Sequence, residues 1–378
     1  MAIKFFACGD VVCSTTKGAF IHDDLKQIIK KCDISICNFE APIKANVRNA
    51  IPKAGPHLFQ LKETVSRLNS SGFNFVSLAN NHIYDFGQEA LVSTINELRR
   101  CSVNYVGAGK DFNDAYKFSI IERNGIKLGI IAGCENEFGC LPENQNRGGY
   151  AWLLHHLVED NVRLLKTQCD IVIVVAHAGV ENIEVPIKEW REKYKRFCDI
   201  GADVIIGHHP HVPQGYESYN NSMIFYSLGN LYFDTAGFEN KSDDSYSVIL
   251  EFEKTGLKNF NVIYHKKILG ITSIVNKKDV SFSIERLNSL LGADYVNASN
   301  DICLELFTKY YYQYYQNALG SIPSNRSLFV KSKKLLSNFL YKNKSKHSRN
   351  LLLLHNLRID SHRYVVQRAL SLISERSL

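Results

Sequence analysis

No stretch of this chain approaches the roughly 18 to 20 consecutive apolar residues that a membrane-spanning helix requires. The longest apolar run, Ile171 to Ala176, has the length of a strand. A helical bilayer span is therefore excluded. There is no Cys-x-x-Cys pair among the ten cysteines, which stand at 8, 13, 32, 37, 101, 134, 140, 169, 198 and 303. Scattered thiols, several of them inside predicted strands, point to a reducing compartment. An export leader is not expected either. Phe5-Phe6-Ala7-Cys8 resembles a lipoprotein cleavage site, but only Lys4 precedes it and Asp10 follows, leaving no apolar segment of about 7 to 15 residues. These absences place the expected location in the cytoplasm. No internal repeat of roughly 20 to 50 residues is evident.

What is present is the make-up of a soluble globular protein, 45% hydrophobic and 22% charged. With 378 residues it can form one large domain or two ordinary ones. The net charge of +7 is unevenly distributed. Residues 321–378 hold 12 Lys and Arg against 2 Asp and Glu, a balance of +10, which leaves −3 for residues 1–320. All of the basicity belongs to the tail.

From residue 1 to about 265, short β-rich runs alternate with helical patterns at 24–31, 61–70, 88–99, 160–168 and 190–199, the alternation of a layered α/β fold. Asn124-Gly125 marks the turn of a hairpin within 120–131. Residues 134–150 are polar and rich in glycine, and read as a loop over the site. Beyond about 270 the spacing becomes helical, around 301–319, 326–341 and 350–374, with Tyr310, Tyr311, Tyr312, Tyr314 and Tyr315 clustered. The predicted division is an α/β domain over 1–268 and a mainly helical, basic region over 269–378.

Five apolar runs finish in ligand-type residues: Gly9-Asp10, Asn38-Phe39-Glu40, Asn80-Asn81-His82, His177, and Gly207-His208-His209-Pro210-His211. In open α/β sheets ligands bind at the carboxyl ends of strands. Singly, each residue has a plainer explanation: Asp10 as a turn residue, His177 as a core histidine, Asn80 and Asn81 as a helix cap. Together, in this order, they predict a metal site. Oxygen and imidazole ligands without thiolates suit Mn, Fe, Zn or Mg, one ion or two.

These stretches, with Asp85-x-Gly87, His177-Ala178-Gly179-Val180-Glu181, Gln214 and Tyr226-Ser227-Leu228-Gly229-Asn230, resemble the CapA family. That family of capsule-synthesis or poly-γ-glutamate biosynthesis proteins is a branch of the calcineurin-like metallophosphoesterases. Six motifs stand in family order over residues 1–252, and the tail beyond 270 is outside the resemblance. The resemblance implies a four-layer α/β/β/α sandwich. It implies that Asp10, Glu40 and His211 hold one ion and Glu40, Asn81, His177 and His209 a second, with Glu40 bridging. His82 would be the general acid or would orient a phosphate. Asp85 either fixes the His82 imidazole or simply supplies a negative charge at the next helix. Glu181, His208 and Asn230 would touch substrate or support the ligands.

The chain departs from the superfamily pattern in two places, carrying Val12 where a histidine stands and Glu40 where an aspartate stands. The expected function is that of a metal-dependent hydrolase acting on an anionic polymer or phosphoester in the biosynthesis of a bacterial surface polymer, in company with polymer-assembly proteins. The alternative is a noncatalytic subunit that binds a polyanion. The basic tail over 321–378 is expected to localise the protein, for instance by peripheral contact with the anionic inner face of the membrane. Basic helices also track nucleic acid, but the motif set points away from nucleases and nucleic acid is not an expected partner.

Overall fold

The computed structural model describes residues 2–44, 49–235, 243–319 and 342–375. Met1–Ile51 and His57–Tyr295 form one compact unit, and Pro52–Pro56 with Val296–Leu378 a second. The first unit begins β1 (Ile3–Val12), α1 (Asp23–Lys30), β2 (Ile34–Phe39), α2 (Glu63–Ser71), β3 (Phe75–Ser77), α3 (Gly87–Arg100) and β4 (Asn104–Val106). It continues through β5 (Ala108–Gly109), α4 (Phe112–Ala115), β6 (Ser119–Arg123), β7 (Ile126–Cys134), β8 (Cys140–Leu141) and β9 (Gly149–Ala151). Then come α5 (His156–Gln168), β10 (Ile171–His177), α6 (Lys188–Asp199), β11 (Val204–His208), β12 (Tyr216–Tyr219) and β13 (Ser222–Phe225). It ends with β14 (Asn230–Phe233), β15 (Ser245–Glu253), β16 (Gly256–Ile268), β17 (Ile271–Ile274) and α7 (Ile284–Ser289).

Two sheets carry the architecture. The first has eight strands, ordered β17-β16-β15-β1-β2-β3-β4 with β14 paired to β1; the second has six, ordered β12-β13-β11-β10-β7-β6. In both, the central strands run parallel. Such strands are covered on both faces and read as unbroken apolar runs, as β10 does with all seven residues buried. The sheets pack face to face: Phe260 of β16 meets Phe225 and Tyr216 of the other sheet edge-on, at 5.3 and 5.1 Å between ring centres. Helices cover the outer faces. Leu25 and Ile29, four residues apart, bury one stripe of α1, and Ser35 on β2 donates to Ile29 of that helix. On the other side Leu165 of α5 fills the space that a side chain at Gly129 would need, 2.7 Å from where its Cβ would lie. The result is a four-layer α/β/β/α sandwich.

Residues 134–150 form the loop that their composition suggests over 135–139 and 142–148, with short strands set into it. They contribute β8 and β9 to a third, three-stranded sheet with β5. Arg147 ties the segment together by donating to the carbonyls of Cys140 and Gly148, and the buried Tyr150 hydroxyl accepts the Glu137 N–H. Composition could not show this, because it does not report which residues of a polar segment will pair.

The second unit is helical where described: α8 (Tyr295–Leu306), a π-helical turn over Phe307–Tyr311, α9 (Tyr312–Leu319), α10 (Lys342–Arg358) and α11 (Asp360–Glu375). The helix predicted over 350–374 is two helices that meet at Ile359, and the one predicted over 326–341 lies outside the described residues. Within the tyrosine cluster Tyr311 is buried against His362, 4.6 Å between ring centres, while Tyr310 and Tyr312 are exposed. Among the described residues no helix is long and apolar enough to cross a membrane.

Candidate metal centre

The carboxyl ends of the parallel strands in the two sheets deliver their side chains to one place. Asp10 lies inside β1, at a point where the register with β2 shifts between Ala7 and Asp10 and that with β14 shifts between Asp10 and Val11. Irregularities of this kind re-aim a side chain. Here the turn is tight enough to need glycine, since a Cβ on Gly9 would lie 1.7 Å from the Gly229 carbonyl oxygen. Glu40 follows β2, Asn81 and His82 follow β3, His177 ends β10, and His208 ends β11. His209 and His211 come next, with φ of +95° and +61°. Left-handed backbone at two non-glycine residues costs on the order of 1–3 kcal/mol each, and such strain collects where function fixes a side chain.

Asn38 is the hub of the scaffold. Its Nδ2 donates to Asp10 Oδ1 at 2.8 Å and lies 3.0 Å from His177 Nδ1. Asn80 in turn donates to Asn38 Oδ1 and to the Phe39 carbonyl, at 3.1 and 2.9 Å. His177 Nε2 faces Asn81 Oδ1 at 3.1 Å, His209 Nδ1 at 3.1 Å and Glu40 Oε1 at 3.7 Å. His211 places Nδ1 3.4 Å from Asp10 Oδ2 and 3.0 Å from Asn230 Oδ1, and Nε2 3.7 Å from Glu40 Oε1. Potential ligand atoms of Asp10, Glu40 and His211 lie within 4.8 Å of one another, as do those of Glu40, His177 and His209, and those of Glu181, His209 and His211. Glu40 belongs to two of these triads.

Charge explains why this cluster is not self-sufficient. Glu40 is wholly buried, and neither carboxylate oxygen has a hydrogen-bond partner. Burial first, then repulsion from Asp10, raises its pKa well above the usual carboxylate range. A buried charge without donors is strongly disfavoured unless a cation meets it. Burial pushes Asp10 the same way, but the adjacent imidazoles of His208 and His211 prevail and hold it well below its ordinary value. Burial lowers His209 to about 4 and, with His209 beside it, holds His177 well below its ordinary value; imidazoles so held are neutral and able to ligate. For His211, burial is outweighed by Glu40 and Asp10, which raise it to about 10. That proton stands where a second positive charge is wanted. The donor set and the unmet carboxylate fit a divalent ion.

Of the remaining predicted residues, His82 is buried with Nδ1 2.7 Å from Asp85 Oδ2, and the same Asp85 oxygen accepts the Leu58 N–H at 2.7 Å. His82 is near enough to His209 to disfavour protonation there. His208 Nδ1 lies 3.1 Å from Asp10 Oδ1, behind the cluster. Glu181 is exposed at the rim. Val12 is fully buried in β1, opposite Phe233 of β14. Sequence reading missed Glu135. It is fully buried, accepts the Gly179 N–H at 3.1 Å and approaches His209 Nε2 to 3.6 Å. Its signal was the same as the others, an acid directly after the apolar run of β7. Asn38 and Asn80 were also passed over as network residues.

A His, Asp and Glu cluster at the strand ends of a two-sheet α/β sandwich implies a divalent metal ion. The chain belongs to the bacterial capsule synthesis protein PGA_cap family, which matches residues 4–235. It is 31% identical over 222 residues to the capsule biosynthesis protein CapA of Bacillus anthracis, covering 57% of this chain and 54% of that one. It is 32% identical over 250 residues to the PGA biosynthesis protein CapA of Bacillus subtilis (strain 168), covering 65% of each. The chain thus spans between half and two-thirds of the length of these relatives. Among solved structures, a phosphatase from Mycoplasma pneumoniae aligns over 76% of this chain and 99% of its own, with a TM-score of 0.45 and 17% identity, a likeness too distant to speak to chemistry.

Proposed function

We propose that this chain is a divalent-metal-dependent hydrolase of the phosphoesterase type, acting on an anionic substrate in the biosynthesis of a capsule or another bacterial surface polymer such as poly-γ-glutamate. The observation that supports the reading most is Glu40, a buried carboxylate with no donor on either oxygen, set between Asp10, His177 and His211. Asp10, Glu40, Asn81, His177, His209 and His211 would hold one or two ions. When bound, such an ion supplies Lewis acidity and lowers the pKa of a water molecule. His82 supplies the proton. Its Nδ1–H is committed to Asp85, which is itself held by Leu58, so Nε2 is the atom presented to a leaving group.

Metal analysis of wild type, Glu40→Gln and His209→Ala tests this. One or two equivalents of Mn, Fe, Zn or Mg are expected in wild type and little in either variant. Metal-free Glu40→Gln should melt higher than metal-free wild type near neutral pH, because the amide spares folding the proton uptake that buried Glu40 requires. Near-zero metal in wild type after reconstitution sinks the proposal.

A second reading, a noncatalytic subunit that binds polyanions, is favoured by Val12, which leaves the centre one imidazole short of the superfamily pattern. Metal-dependent turnover across phosphomonoesters, phosphodiesters and γ-glutamyl peptides separates the two.

A further inference from the structure

Behind His211 a buried polar chain leads away from the centre. Asn230, the first residue of β14, sets Oδ1 3.0 Å from His211 Nδ1, and its Nδ2 donates to Asp243 Oδ1 at 3.4 Å. Asp243 Oδ2 accepts the Phe233 N–H at 3.1 Å and pairs with Lys267 Nζ at 2.7 Å, while the same ammonium donates to the Phe233 carbonyl. Asn230, Asp243 and Lys267 are all buried. Burial raises the Asp243 carboxyl above its ordinary value; Lys267 opposes this and favours the ionised form. A buried ion pair of this kind is weak evidence for stability. Its place next to a candidate ligand suggests another role.

The chain fixes a proton. A carboxylate only accepts, so Asn230 must turn its NH₂ to Asp243 and its oxygen to His211. An amide oxygen also only accepts, so Nδ1 of His211 keeps its hydrogen, with Asp10 Oδ2 a second acceptor at 3.4 Å. Nε2, 3.7 Å from Glu40 Oε1, is then the nitrogen that gives up its proton to an ion. Asp243 acts on the ring by a second path as well. It holds the backbone of Phe233, whose side chain packs edge-on against His211 at 5.1 Å between ring centres. We propose that Asp243, backed by Lys267, is a positioning residue for the metal centre, setting through Asn230 the tautomer and angle at which His211 turns Nε2 to Glu40. The role rests on the reading of the cluster as a metal centre.

The test is titration of the full chain with Co²⁺, followed by the absorption of the bound ion, with His211→Ala marking the binding step that uses His211. Asp243→Asn keeps its shape and can keep its oxygen on the Phe233 N–H and Lys267. It then turns an NH₂ toward Asn230, whose amide must flip and donate to His211 Nδ1, stranding the hydrogen on Nε2. The His211 step should weaken about 10- to 100-fold, the usual effect of losing an outer partner of a metal-binding histidine. A step that His211→Ala leaves in place should move less. Exchanging the pair, Asn230→Asp together with Asp243→Asn, returns an acceptor to Nδ1 and should recover most of the affinity. A His211 step that Asp243→Asn leaves unmoved overturns the proposal, and so does an exchanged pair as weak as Asp243→Asn alone. Where two steps are seen, equal weakening of both overturns it too, since a merely structural role predicts that. Wild type that binds no Co²⁺ removes the metal centre itself, and this role with it.

Discussion

Glu40 and His82 follow adjacent strands and pose opposite electrostatic problems. Glu40 has two oxygens and no donor, so it calls for a cation from outside the chain. His82 has its partner in Asp85, at 2.7 Å, so it is already oriented. The two should therefore fail differently. His82→Ala is expected to keep full metal occupancy and to lose about 10²- to 10⁴-fold in turnover, the range of a general acid. Loss of metal together with activity would make His82 a ligand instead. Glu135 and Asn38 belong to the same scale. Both touch histidines of the cluster and neither stood out in the sequence, Glu135 because it opens a segment that composition marks as loop, Asn38 because asparagine carries no charge to betray it.

Elements do two things here: they carry the clustered Asp, Glu and His residues at their ends, and they bury polar groups along their length. His265 of β16 is the second case. It is fully buried, with Nδ1 3.1 Å from Ser245 Oγ and Nε2 2.8 Å from Ser247 Oγ, both on β15. Burial lowers its pKa to about 3, against a smaller opposing pull from Asp244. Unfolded, the same imidazole titrates near 6.5, so between those values the unfolded chain binds the extra proton. Its contribution to stability is complete above about pH 6.5 and is lost as the pH falls toward 3, at about 1.4 kcal/mol per pH unit. Urea unfolding at pH 6, 5 and 4 should show a shallower acid slope for His265→Gln than for wild type, by about one proton. His177 and His209 add slope of the same sign to both proteins, so the difference isolates His265. Parallel slopes would show that His265 is not the group responsible.

At the scale of the whole molecule the charge is divided: residues 1–320 carry −3 and residues 321–378 carry +10. So strongly basic a segment invites a role in placement, and we propose that it holds the protein to an anionic surface. The full chain should sediment with vesicles containing anionic lipid at low salt and be released as salt rises. Each basic residue near such a surface is worth about 1 kcal/mol, so Lys342, Lys344 and Lys346 changed together to glutamine should lower partitioning by about two orders of magnitude. Equal retention on neutral vesicles, or indifference to salt, would remove the membrane from the proposal.

The strands, the helices that cover them and the residues at their ends are local features, and the sequence determined them. Apolar runs that stop at Asp, Glu, Asn or His need no partner to be recognised, and the helix predicted over 24–31 forms at Asp23–Lys30 for the same reason. Tertiary structure alone decided what those ends mean to one another. The double register shift that turns Asp10, the hydrogen bonds through Asn38 and the isolation of Glu40 all depend on groups far apart in sequence, from 28 positions for Asn38 and Asp10 to 220 for Asp10 and Asn230. The third sheet in 134–150 arose in the same way, from pairing with β5 and with Gln88. Periodicity reports which face of an element is buried; it carries no information about which distant polar atom will be buried beside it, and on that the chemistry of this centre turns.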